Sequence, residues 1–230
     1  MLKFYFSPQW FSGIDSVFEV FSIIVACLIA FSAYRLFRFS KEYKYKYFSM
    51  SFLLIAIAYI FKILTNLTLY QQKVYEGTVG NLTLTFLTVH KTEIFLILGY
   101  LLFRFLTIVG LIGIYLILDK QAKQAINRKT VILLVYLAFL SAVLSHFYFF
   151  IFHITSILLL SFITLICYNN CKAKASKSGK LVTLSFFIIL LSHLFFILVL
   201  LNLDFYVLAE IFQLFGFIIL LITYFMVLKK

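Results

Sequence analysis

Acidic residues are scarce in this chain: eight Asp and Glu in 230 residues, against twenty Lys and Arg. Charged residues of both signs reach only 12%, where soluble domains carry about 25%. There is one proline, with eight glycines, three cysteines and one tryptophan. So little charge excludes a soluble domain, which needs polar surface to cover its core, and a disordered chain, which needs charge to stay solvated. The proline and glycine counts exclude collagen-like and low-complexity chains. The cysteines exclude a disulfide scaffold: Cys27, Cys167 and Cys171 fall at membrane or cytoplasmic positions, where no disulfide is expected. Cys171 has the juxtamembrane position of a palmitoylation site, although an inert thiol is the simpler reading.

What the chain has instead is apolar residue, 64% of it, with a mean hydropathy of +1.10. A helix crossing about 30 Å of hydrocarbon needs about 20 largely apolar residues. Seven stretches fit, at 15–37, 47–65, 92–118, 131–146, 149–168, 181–201 and 205–228. The run 131–168 has neither Gly nor Pro and would be about 57 Å long as one helix. Lysine-rich segments flank it on both sides, so an even number of crossings lies between them and a turn is expected near His146–His153. The fold expected is an all-α seven-helix transmembrane bundle formed by residues 1–230 as a single domain.

Charge then orients the bundle. Arg35, Arg38, Lys41, Lys44 and Lys46 follow the first span, and Lys120, Lys123, Arg128 and Lys129 follow the third. Lys172, Lys174, Lys177 and Lys180 follow the fifth, with Lys229 and Lys230 after the seventh. These are fifteen of the twenty bases, opposed on that side only by Glu42 and Asp119. The positive-inside rule puts this side in the cytoplasm, the amino terminus outside and the carboxyl terminus inside, in a multi-pass protein of the cell membrane. The lysines form no continuous face, so no nucleic-acid partner is expected. The basic loops suit anionic lipid or an acidic cytosolic partner, although setting topology accounts for them. Asp15 and Glu19 precede the first apolar run, where a signal peptide carries positive charge, so no cleavable signal is expected.

Outside the spans, residues 1–13 hold Phe4, Phe6, Trp10 and Phe11 and suit a segment lying in the outer interface. Residues 66–91 form the one long extracellular loop. Its stretch 82–89 alternates apolar and polar with β-branched residues, which predicts a small β-hairpin with 67–75 across Glu76–Gly80. Asn66 and Asn81 each begin an N-L-T triplet, a weak glycosylation signal on that face.

Three outward-starting helices begin alike: Glu19-Val-Phe-Ser-Ile-Ile-Val25, Glu93-Ile-Phe-Leu-Ile-Leu-Gly99 and Glu210-Ile-Phe-Gln-Leu-Phe-Gly216. Returning helices carry a base in their outer halves, at Lys62, His146 and His193. This reads as three helix pairs plus a seventh helix. Ionisable groups at this depth cost several kcal/mol unless paired or hydrated, so each is expected to face the bundle interior. Helical spacing aligns Glu93, Tyr100 and Arg104 on the third span, and Tyr206, Glu210 and Gln213 on the seventh. With Glu19, Lys62 and His193 they define a candidate ligand pocket in the outer half of the membrane, with Arg104 as its floor. Arg104 is expected either to bind an anion or to lock a carboxylate.

Four readings of these residues follow. In the structural one, Glu–Lys and Glu–His pairs simply tie helices together. In the second, the pocket takes a small ligand from outside, in a receptor, sensor or accessory subunit. A transporter built on the helix pairs is the third, although no span contains proline and broken helices are the usual mark of that class. Last comes a membrane metalloenzyme using Glu19, Glu93, Glu210, His193 and His153 as ligands; no HxxxH or ExxH pair supports it, and no metal or other cofactor is expected. No nucleophile motif or phosphate loop occurs, and the seventh span has no lysine to form a retinal Schiff base. A small-residue face at Gly110–Gly113 offers a place for a membrane protein partner.

The segment Tyr34-Arg-Leu-Phe-Arg-Phe-Ser-Lys41, then Tyr47-Phe-Ser-Met-Ser-Phe-Leu-Leu-Ile-Ala-Ile-Ala-Tyr-Ile-Phe-Lys62, resembles small seven-helix membrane proteins of archaea with no assigned activity. It is also loosely similar to the seven-helix sensor regions that precede bacterial signalling domains. The resemblance covers the first quarter of the chain. It implies the seven-helix fold, carries over no catalytic residue, and in the sensor case implies that the output domain is a separate partner. Sixteen Lys to four Arg, with abundant Ile, Phe and Tyr, suits an AT-rich prokaryotic genome.

Overall fold

The computed structural model describes residues 8–11, 13–75, 82–119, 128–174 and 176–228, with the side chains of 9, 69–75, 82–93, 128, 174, 227 and 228 outside that description. A 3-10 turn, Gln9–Phe11, precedes seven α-helices. They are α1 Ile14–Ser40, α2 Tyr43–Tyr75, α3 Leu82–Leu118, α4 Arg128–Phe147, α5 Phe150–Lys174, α6 Lys177–Leu198 and α7 Asp204–Leu228. Each contains a stretch long and apolar enough to cross a membrane, so the chain is a polytopic membrane protein.

Local chemistry sets the helix ends. Gly13 adopts φ 95°, and its N–H and that of Ser16 donate to Asp15 Oδ1 at 3.0 and 2.8 Å, satisfying donors at the start of α1. Lys41 ends α1 in the left-handed region at φ 56°, returning its N–H to the Phe37 carbonyl at 2.8 Å. Ser176 caps α6 by accepting from the Gly179 N–H at 3.0 Å. The turn expected within 131–168 is present: α4 stops at Phe147 and α5 starts at Phe150.

Two expectations are corrected. The alternating stretches 67–75 and 82–89 belong to α2 and α3 and are helical, not a β-hairpin; the intervening Glu76–Gly80 and Asn81 lie outside the described residues. A lone two-stranded hairpin is only marginally stable, whereas continuing an established helix adds one hydrogen bond for each residue fixed. Nor is the small-residue face of α3 free for a partner. A Cβ on Gly110 would stand 3.0 Å from the Ser51 carbonyl and 2.6 Å from Ile55 Cγ1, and one on Gly113 would collide with the Ser51 side chain. These glycines let α2 and α3 approach closely.

Packing follows chain order: α1 on α2, α2 on α3, α5 on α6, α6 on α7, and α7 back on α1. Helix α4 packs on both α3 and α5, which also touch each other. The bundle is therefore a closed ring of six helices with α4 laid against its outside. The burial agrees: only 17% of the apolar window of α4 is buried, against 50% for α2. Small residues such as Ala26 and Ala56 share the core with large ones such as Ile108, Leu160 and Ile163, all nearly or fully excluded from solvent. Phe11 tucks into a second cluster with Phe196, Val199, Tyr206 and Ala209, while Trp10 stays exposed. So the described part of the amino-terminal segment plugs one end of the ring, with its indole outward.

Candidate functional site

Below that plug the polar residues of six helices meet. Lys62 on α2 is 7% exposed, in a setting where an unpaired ammonium would be costly. Its Nζ lies 2.9 Å from Glu19 Oε1 on α1 and 2.8 Å from Glu210 Oε1 on α7. Both carboxylates are about 1% exposed. The three rings nearest the ammonium are Phe103, Phe196 and Tyr59, with centroids at 5.5, 5.8 and 6.0 Å. These aromatic faces supply cation–π attraction where water is excluded.

The network extends from this triad. Asn66, one helical turn beyond Lys62, donates from Nδ2 to Glu19 Oε1 at 3.2 Å and accepts at Oδ1 from the Tyr100 hydroxyl at 2.9 Å. Gln213, three residues after Glu210, donates from Nε2 to the Tyr59 hydroxyl. On the other side of Phe196 lie His153 of α5 and His193 of α6, with Nδ1 atoms 3.0 Å apart. One ring must donate its N–H to the lone pair of the other. The His153 ring stacks on Phe196 at 4.8 Å and 24°. A chain of contacts thus runs from α5 and α6 through Phe196 to Lys62, and on to α1, α7 and α3.

Arg104 belongs to a different construction. It is buried, and among the described residues no carboxylate pairs with its guanidinium: one terminal nitrogen donates to the Ser145 carbonyl at 2.7 Å and to its Oγ at 3.1 Å. Ser145 lies in the last turn of α4, whose carbonyls have no partner within the helix and carry the negative end of its dipole. The guanidinium also sits over the Tyr100 ring at 5.7 Å. Arg104 therefore pins the peripheral helix to the ring through Ser145.

Of the predicted pocket residues, Glu19, Lys62 and Glu210 converge directly, and Tyr100 joins them through Asn66. Gln213 and His193 occupy adjoining pairs. The side chain of Glu93 lies outside the described residues. Asn66 is 5% exposed with both ends of its amide engaged, which corrects its reading as a glycosylation acceptor; a glycan needs an accessible side chain. Tyr59 and Asn66 stand three residues before and four after Lys62, on its helical stripe, whereas nothing in the sequence marks Phe196 or Ser145. Phe196 is one Phe among thirty, and Ser145 acts through its backbone.

The proposed metal ligands fit poorly. Glu19 and Glu210 each present an oxygen to Lys62, so a divalent cation would have to displace an ammonium already in place. Among the described residues no group of three His, Cys, Asp or Glu side chains is disposed to hold a metal.

One acceptor is unspent: Glu19 Oε2 is buried without a hydrogen-bond partner. The triad counts two carboxyl groups to one ammonium, so it reaches neutrality by holding a proton on one of them or by accepting a second cation. No family model matches the chain, and no curated protein or solved structure matches it.

Proposed function

We propose that the chain is a receptor- or sensor-type seven-helix protein of the cell membrane, amino terminus outside, in which the Glu19–Lys62–Glu210 triad is the switch. The observation that carries this reading is that one lysine holds the first and last helices of the ring together. The packing between α1 and α7 is the sparsest in the ring, and there the helices are held by ion pairs whose strength changes when charge is added. The stimulus is a small cationic group, an ammonium or guanidinium, arriving at the end opposite the basic loops. Glu19 Oε2 offers it a free acceptor, and Asp15 and Asp204 add acidity at the same end. Entry requires Phe11 to withdraw. The response reaches the cytoplasm through α1 and α7, whose basic-side ends meet a separate output protein.

The transporter reading has less support. The helices are unbroken, and the described cavity at mid-bundle has a volume of about 30 Å³, room for one or two waters. A binding protein needs no through-path; a transporter needs one in some state.

The test is a distance measurement in lipid nanodiscs. Spin labels go on Val20 of α1 and Leu208 of α7, both side chains exposed on the lipid face. Titration with a panel of small amines and guanidines is expected to lengthen the α1–α7 distance for at least one compound, and to have no such effect in the Lys62→Met background. Accumulation of the same compound inside liposomes would favour the transporter instead, and a distance indifferent to every compound would remove the switch.

A further inference from the structure

A second site lies at the opposite end of the ring, and it is hollow. Helices α1, α2, α3, α6 and α7 line a cavity of about 420 Å³, open on one side, where α1 ends and α2 begins. That volume is in the range of small-molecule sites, about 300–1,000 Å³. Its floor is Phe52, Phe186 and Leu220, all at most 5% exposed, and Ile29, Phe48 and Val182 form part of the wall. Thr223 lines it too, but its hydroxyl is already given to the Ile219 carbonyl at 2.8 Å. Water in such a space finds too few polar partners to be held, since a buried water makes about three hydrogen bonds. An apolar occupant loses nothing there.

The rim differs from the floor. Lys44 and Tyr45 line it, with the Lys44 ammonium 4.8 Å from the centroid of the Tyr45 ring. Lys44 also pairs with Glu42, both side chains about half exposed, and such surface pairs contribute about 0–1 kcal/mol. Another carboxylate can therefore replace Glu42 at little cost. Among the described residues Lys44 is the one base that lines the mouth; Lys41, Lys46, Lys177 and Lys180 belong to the same end of the helices, while Arg35 and Arg38 line a separate groove with Phe31, Tyr34 and Phe39. The lone carboxylates at this end among the described residues are Glu42 and Asp119.

From an apolar axial chamber under a cationic rim we infer that this cavity binds a single-chain amphiphile with an anionic head, a long-chain carboxylate, its tail on Phe52, Phe186 and Leu220 and its head on Lys44. The inference is independent of the triad as a switch. It has one consequence for it: the same three floor residues also line the small central cavity, whose far wall includes Tyr59 and His193. The tail thus presses on the layer of side chains directly beneath the polar network.

The experiment uses the full chain in phosphatidylcholine nanodiscs, with a palmitic acid analogue carrying a diazirine in its tail as photoprobe and peptide mass spectrometry as readout. Labelling is expected on peptides containing Phe48–Phe52, Val182–Phe186 and Leu220–Tyr224. Unlabelled palmitate should compete, hexadecanol should compete about tenfold more weakly, and Lys44→Gln should weaken competition by palmitate about tenfold. Val182→Trp should abolish labelling by filling the chamber; Ala33→Phe, on the opposite wall, does the same should the first variant fail to fold. Labelling confined to lipid-facing positions such as Phe139 and Phe162 overturns the inference, and so does equal competition by hexadecanol. A phosphatidylcholine bearing the same diazirine tail that labels the chamber as well as the fatty acid overturns the single-chain assignment.

Discussion

Lys62 and Glu210 stand 148 residues apart in the chain and 2.8 Å apart in the fold. No other described ion pair closes so long a loop, and both its partners are buried. A pair of this kind is expensive to break and of little net benefit to stability, because desolvating its charges offsets most of their attraction. Lys62→Met alone leaves two carboxylates facing each other in the core and should cost about 3–5 kcal/mol. The triple variant Glu19→Gln, Lys62→Met, Glu210→Gln should recover most of that loss. Thermal unfolding in detergent, followed by circular dichroism, measures both. A triple variant as unstable as the single one would show that the residues do not act as a unit.

Arg104 fastens α4 through a backbone carbonyl. Removing the Ser145 hydroxyl leaves the 2.7 Å bond in place, so Ser145→Ala should change stability by less than about 1 kcal/mol. Arg104→Leu removes a charge-assisted bond and uncaps the helix, a loss of about 1.5–3 kcal/mol. Hydrogen exchange should locate that loss in the last turn of α4 and the start of α5. Exchange that rises instead across α1 and α7 would place Arg104 in the triad's unit.

The close approach of α2 and α3 rests on glycine. Gly110→Leu drives a side chain into Ile55 and the Ser51 carbonyl and should destabilise by about 1–3 kcal/mol or prevent folding. Substituting a lipid-facing position of the same helix, such as Leu98→Ala, should be nearly silent. Equal tolerance at both positions would mean that this face of α3 is open and the partner reading survives.

Asn66 bridges Glu19 and Tyr100 inside the bundle. Expression in a glycosylating host should give no modification at this residue, as read by mass spectrometry of the intact protein and its peptides. Asn66→Leu should destabilise by about 1–3 kcal/mol, the cost of removing one of the two partners of Glu19 Oε1 and the acceptor of the Tyr100 hydroxyl.

These residues also mark how far the sequence could be read. Seven spans, their basic side and the turn between α4 and α5 were legible because each follows from local composition: hydropathy, lysine density and the length of an apolar run. The acids and bases of the site were legible by depth, since Glu19, Lys62 and Glu210 sit within a few residues of the outer ends of the apolar spans 15–37, 47–65 and 205–228. Which of them would pair was not. A helix can rotate about its axis without changing its composition, and the partner of Arg104 is a carbonyl that every residue possesses. The β-hairpin failed for a related reason: period-two alternation over eight residues is a weaker constraint than a helix already running into it. The apolar chamber left no signal, because a wall of Phe, Val and Leu is indistinguishable in sequence from a packed core.

The central claim is that one buried lysine joins the first and last helices, and solid-state NMR of the protein in lipid tests it most directly. With Lys side chains labelled by ¹⁵N and Glu carboxyls by ¹³C, dipolar recoupling reads which carboxylates lie against Lys62. The account predicts that a single Lys resonance, absent from Lys62→Met, is dephased by two carboxyl carbons, and that each contribution vanishes separately in Glu19→Gln and Glu210→Gln. A Lys62 signal dephased by neither carboxyl would contradict it.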